Sequence, residues 1–293
     1  WVKIRNMIPW AKRVDGVKGS DAAHKAAAEA SDTERFILID GDNMPDESFF
    51  NQQLDFTGLD PNYKLAQYRW RAINAINGLR YGNGGMSSWT KTYVQNMKTH
   101  ETSDGSDTTA VDFCMDSQDN LYWAMHDCYS TTYPNYTPFQ AWRAGFREGV
   151  KMVLDRGAKP SIDSFKERVA TRNLNNLTIW QNVGADVKNG LWAIYGARLG
   201  TYMTMLSEWD HKNVMWFDNY PALWEKNKLI HTDSQLISVI NDIGLELNQK
   251  LGLPMCMLDG EQSKFFKRHY NADKHNLGPL VKEMDVIRKI EGW

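Results

Sequence analysis

The sequence predicts an α/β fold, a mixed Rossmann-like sheet flanked by helices, followed by a mainly helical C-terminal lobe. Three observations lead there. An alanine-rich helical stretch runs into the apolar segment Arg35-Phe36-Ile37-Leu38-Ile39; that segment stops at Asp40-Gly41-Asp42-Asn43; and beyond residue 157 apolar residues recur at three-and-four spacing instead of alternating. With 293 residues the chain can bury cores in two lobes. These are placed at residues 1–157 and 158–293.

The first element is a short apolar stretch ending at Arg13-Val14. A helix follows, with Ser20 or Asp21 as N-cap, and its alanines (22, 23, 26, 27 and 30) allow close packing on a sheet. The continuous apolar run Arg35–Ile39 reads as a strand buried on both faces of a parallel sheet. A proline-containing loop leads to a second strand around Tyr68–Arg71 and then to a glycine-rich turn at Tyr81-Gly82-Asn83-Gly84-Gly85. Residues 101–110 are polar and read as a mobile loop, and Ala110–Cys114 reads as a further strand. A long helix, Phe139–Leu154, leads out of the first lobe and is punctuated by Gly157 and Pro160. Helical spacing then marks Ser161–Ala170, Asn189–Ser207, Ser234–Leu251 and Leu280–Ile290. The twelve tryptophans are spread along the chain, which suits core positions better than one sugar-stacking cluster.

Composition removes several function classes. No run approaches the roughly 18 apolar residues of a membrane span, and charges stand where a signal peptide would be apolar. Cys114, Cys128 and Cys256 are odd in number and lack metal-site spacing, so a reducing cytoplasm fits best, the host's if the protein is viral. A net charge of −2 removes the simplest argument for nucleic-acid binding, although a balanced total can hide a local basic face.

The carboxylate pair is the most informative feature. The carboxyl ends of strands in an open α/β sheet border the crevice where ligands sit. Two carboxylates at a strand end repel each other unless a cation shares them. Oxygen-only ligation suits Mg²⁺ or Mn²⁺, which keep open positions for diphosphate oxygens. The alternative is a plain turn, since Asp, Gly and Asn favour turns in any context.

Gly19-Ser20-Asp21-Ala22-Ala23-His24-Lys25-Ala26-Ala27, followed by Phe36-Ile37-Leu38-Ile39-Asp40-Gly41-Asp42-Asn43, resembles the segment of GT-A fold glycosyltransferases in which a small-residue helix precedes a strand ending in Asp-x-Asp. A wider stretch, including Gly78–Gly85 and Pro138–Lys151, is similar to glycosyltransferase-like proteins of tailed bacteriophages. The resemblance implies that Asp42 ligates Mn²⁺ or Mg²⁺ and that Asp40 contacts the ribose or joins the metal shell, Gly41 lying between them. The donor implied is a nucleoside-diphosphate sugar, a UDP-sugar first. The family's fold opens with a strand whose following loop holds the base, whereas only Trp1–Arg5 precede the next element here. A further strand and turn of roughly twenty residues is therefore expected before Trp1.

Other positions are weaker candidates. Asn83, Gly84 and Gly85 line a turn that lets backbone approach a donor sugar, or they merely connect strands. Lys18 and His24 lie before and within the alanine helix, whose free N–H groups favour an anion. His24 stands where the family often has a nucleotide-contacting arginine. Asp127, with Asp112 in reserve, is the candidate base for the acceptor hydroxyl, although an acid beside His126 also suits a helix-surface pair. Gln140-Ala141-Trp142-Arg143 partly matches the Gln-x-x-Arg-Trp signature of processive members. Arg143 and Arg147 share a helix face, where they would neutralise phosphate or simply be solvated. Among the polar residues near the C-terminus, His269 or His275 would complete the metal shell by the same resemblance.

The acceptor suggested by the phage similarity is a hydroxymethylated base in DNA. Two other readings stay open. A phosphotransferase or phosphatase also places Asp-x-Asp after an apolar strand, but with Thr or Val close behind, where this chain has Asn43-Met44. A non-catalytic sugar-binding or virion protein could retain the fold.

Overall fold

The computed structural model of the chain describes residues 1–81, 85–97, 99, 101, 122–228 and 232–271. The strand expected at Ala110–Cys114, the helix at Leu280–Ile290, and Asn83, Gly84, Asp112 and His275 lie outside the described residues. The N-terminal part contains α1 (Val2–Met7), α2 (Ser20–Ala30), β1 (Arg35–Ile39), β2 (Asn43–Pro45), β3 (Gln67–Asn74), β4 (Arg80–Tyr81), β5 (Met86–Thr90), α3 (Lys91–Asn96) and β6 (Tyr122–Thr132). The helical part follows as α4 (Pro138–Lys151), α5 (Phe165–Arg168), α6 (Thr171–Asn182), α7 (Gly190–Leu206), α8 (Asn219–Asn227), α9 (Asp233–Leu251) and α10 (Gly260–Tyr270).

The protein is an α/β molecule with a mixed sheet. Strand order is β1-β5-β3-β6-β2, with β4 paired to β3. Among the described strands only β3 and β6 run parallel; the other pairings are antiparallel. This corrects the sequence reading of β1. Among the described strands it lies at the edge, antiparallel to β5, Ile39 lying opposite Met86, and Ile37 is 41% exposed. An apolar run fixes that a strand is largely covered; it does not fix the direction of its neighbour.

Alternation sorts the sheet's two faces. Tyr68, Trp70, Met86 and Met125 pack with Phe49 on one side. Trp89, with Phe36 and Leu38, packs against Ala28 of α2 and Val94 of α3 on the other. The alanine helix lies on the sheet as expected, starting at Ser20 but with Gly19 as its N-cap.

In the helical part α4 and α7 cross at very short range. A Cβ at Gly145 would lie 2.0 Å from the Ala193 carbonyl oxygen, and one at Gly196 would lie 2.1 Å from that of Trp142. Gly149 and Gly200 repeat the arrangement one turn on. α4 begins with a capping box on Thr137 and Gln140 and has Pro138 in its first turn. Arg198 of α7 is buried without a carboxylate, donating instead to the carbonyls of Gln181 and Ile240 and to Asn182 Oδ1. The helix expected over Ser161–Ala170 shrinks to the four residues of α5, while α6, α8 and α10 were legible only as part of a generally helical region. α10 clamps the turn after β3: Lys267 pairs with Asp186 at 2.6 Å and donates to the Ala75 and Ile76 carbonyls.

Candidate functional site

The segment after β1 makes a turn in which the Asn43 N–H donates to the Asp40 carbonyl at 2.9 Å. Two neighbours fix it. The Asp40 N–H donates to the Gly85 carbonyl (2.8 Å), and the Tyr133 N–H donates to the Asp42 carbonyl (2.7 Å). The start of β5 and the end of β6 therefore hold the Asp-x-Asp turn between them. A Cβ at Gly85 would fall 1.6 Å from Asn43 Nδ2, so the Asn43 carboxamide occupies the space that a side chain there would fill. That carboxamide is buried, the residue being 5% exposed, and neither of its polar atoms has a hydrogen-bond partner among the described residues.

Asp40 and Asp42 both keep solvent exposure, and Asp40 lines a cleft. Loss of hydration, followed by the charge of Asp42, pushes the Asp40 carboxyl up to about 6, and Arg69 opposes the shift. Asp42 is raised by burial too, against the pull of its own backbone N–H and of Arg143. Two cations thus flank the pair. Arg69 rises from β3 over the Trp89 ring, 5.6 Å from its centroid. With its amide oriented toward the guanidinium, Gln67 accepts from Arg69 Nε at 2.5 Å and Nη2 at 3.0 Å. Arg143, from α4, lies 4.9 Å over the Phe217 ring and has no hydrogen bond or ion pair among the described residues.

A cleft of about 1320 Å³ runs from Asp40, Gly41 and Asn43 along β1 to the N-terminal segment, with Phe36 and Ile37 among its apolar walls. It is large enough for a nucleotide-sized ligand, the usual range for small-molecule sites being roughly 300–1,000 Å³.

The other predicted residues fall at varying distances from this centre. Gly85 belongs to it as the carbonyl partner of Asp40. His24 shares with Asp40 the charge of Arg69; its ring Nδ1–H donates to the Ser20 carbonyl (2.7 Å), the ring meets Trp89 edge-on, and burial lowers its pKa. The anion site expected at the start of α2 is taken within the chain: the Ser20 and Asp21 N–H groups donate to the Glu101 carboxylate, each at 2.9 Å. Lys18 is paired at the surface with Asp218, the neighbour of Phe217. Asp127 lies in the irregular part of β6, where Tyr129 Oη donates to it at 3.2 Å; it is not among the charges acting on the pair. His269 sits on the exposed side of α10, bonded to the Phe265 carbonyl and against the Phe265 ring. Among the described residues no third His, Cys, Asp or Glu joins Asp40 and Asp42.

Sequence reasoning missed Arg69 and Asn43. Arg69 had a visible signal, a charge on a strand whose alternate residues are aromatic. Asn43 had none beyond its turn propensity. Comparison of the chain with known protein families, curated proteins and solved structures gives no match.

Proposed function

We propose that this chain is a metal-dependent glycosyltransferase of GT-A type that moves a sugar from a nucleoside-diphosphate sugar, a UDP-sugar first, to an acceptor hydroxyl. The observation that carries the reading is the Asp40–Asp42 pair: two carboxylates at a strand end, under the charges of Arg69 and Arg143, with Asp40 lining a cleft of about 1320 Å³. The donor set fits the implied cation, since both carboxylates offer hard oxygens. When bound, Mn²⁺ or Mg²⁺ would act as a Lewis acid toward the departing diphosphate. Asp42 and Asp40 would hold and orient the cation. Arg143, over the Phe217 ring and without an ion pair among the described residues, would take diphosphate charge from the helical side, and Arg69 opposes the rise in the Asp40 pKa.

The acceptor proposed from the phage similarity is a hydroxymethylated base in DNA, and the proposed compartment is the cytoplasm, the host's for a viral protein. A duplex acceptor requires extrusion of the base into the site. The test is donor turnover with UDP-sugars and Mn²⁺, with modified DNA, saccharide and protein as parallel acceptors. Wild type should release UDP, and Asp42→Ala should lose about 10²–10³-fold, the equivalent of the several kcal/mol a metal contributes. Release of phosphate from monoesters, with nucleotide sugars left intact, would establish the phosphatase reading instead.

A further inference from the structure

The geometry points to Asn43 as the third protein ligand of the divalent cation, donating its carboxamide oxygen beside Asp40 and Asp42; this assignment rests on the metal-dependent reading above. The turn closed by the Asn43 N–H to Asp40 carbonyl bond makes these residues its first and fourth members. Such a turn holds the two Cα atoms within about 7 Å. Both side chains also belong to one face of the sheet. Phe36 and Leu38 pack with Trp89, so alternation along β1 brings Asp40 to that face, and alternation back along β5 from Trp89 through Ser87 brings the open side of Gly85 there too. The Asn43 carboxamide fills that open side, and the Gly85 carbonyl binds the Asp40 N–H.

Asn43 is 5% exposed, borders the same cleft as Asp40, and has neither its amide oxygen nor its nitrogen satisfied among the described residues. Buried native amides are rarely left in that state, and an ion is one of the few things that resolve it. A neutral hard oxygen also suits the charge balance. Two carboxylates already match the charge of a divalent cation, and a third would add a further like charge beside them. Among the described residues no histidine, cysteine or further carboxylate competes for the position. Gly85 then has a stated job: any side chain there would expel the ligand.

The experiment is titration with Mn²⁺ alone, free Mn²⁺ being read by electron paramagnetic resonance, with folding followed by circular dichroism. Asn43→Ala should weaken binding about tenfold or more, and Gly85→Ala should fall with it, since both remove the amide from its place. Asn43→Asp supplies an ionised oxygen and should bind at least about tenfold tighter than wild type at pH 8. Wild-type affinity in Asn43→Ala, alongside loss in Asp42→Ala, overturns the assignment while leaving the metal-dependent reading intact. If Asn43→Ala fails to fold, an unchanged affinity in Asn43→Asp overturns it equally. Absence of Mn²⁺ binding by wild type removes both.

Discussion

Asp40 takes the largest share of the electrostatic cost at this site, because it loses hydration and faces Asp42 at once. Its carboxyl moves from 3.8 to about 6. The sign of the consequence follows directly. Between those two values the folded chain binds more protons at Asp40 than the unfolded chain does, so metal-free stability falls as pH rises from about 4 to about 6 and then levels off. Removing the group should remove the slope. Thermal melts in chelator from pH 4 to 7 are expected to show a smaller decline for Asp40→Asn than for wild type; parallel curves would mean that Asp40 titrates normally. Mn²⁺ affinity should run the other way, rising with pH until the carboxylate is fully ionised near pH 7.

At the scale of elements, the α4–α7 crossing brings two helix backbones together at very short range. Gly145 and Gly149 on one helix, Gly196 and Gly200 on the other, each present a bare Cα to the partner's backbone. Replacing a helical glycine with alanine normally gains about 1 kcal/mol in propensity. At Gly196 the new methyl would meet the Trp142 carbonyl at 2.1 Å, a backbone atom that cannot swing aside. Overpacking costs about 1–3 kcal/mol and more where the backbone must move, so the clash wins. Gly196→Ala should lower the melting temperature by several degrees, and a stabilised variant would show that the helices can separate cheaply. The helices α7 and α9 were legible to within a residue at each end, since long apolar patterns override local detail, whereas the glycine seam is evident only from the crossing of α4 and α7. The edge position of β1 was not legible, because Arg35–Ile39 would look the same in the middle of a sheet. Nor was the capture of the α2 N-terminus by Glu101, a contact between residues 80 positions apart that no local pattern announces. The Asp-x-Asp turn was visible; its arginine flanks depended on the meeting of β3 and α4.

At the scale of the molecule, the candidate site draws its anions from the sheet and one of its cations from the helices. Asp40 and Asp42 follow β1, Arg69 is on β3, and Arg143 reaches over from α4 onto Phe217. The exposed Lys18–Asp218 pair also links the N-terminal segment to the helical part, but solvent screens so exposed a pair and it contributes little. A diphosphate bridging Asp42-bound metal and Arg143 would couple the layers far more strongly. Ligand at 100 times its Kd stabilises by about 2.7 kcal/mol, which for a chain of this size is a rise of roughly 5 °C. Mn²⁺ should therefore raise the melting temperature, and UDP added to the Mn²⁺ complex should raise it again. Arg143→Ala should keep the first increment and lose most of the second, since a charge-assisted contact to phosphate contributes about 1.5–3 kcal/mol. If that variant responds to UDP as wild type does, Arg143 belongs to the solvated face of α4 and the helical layer has no part in holding the donor.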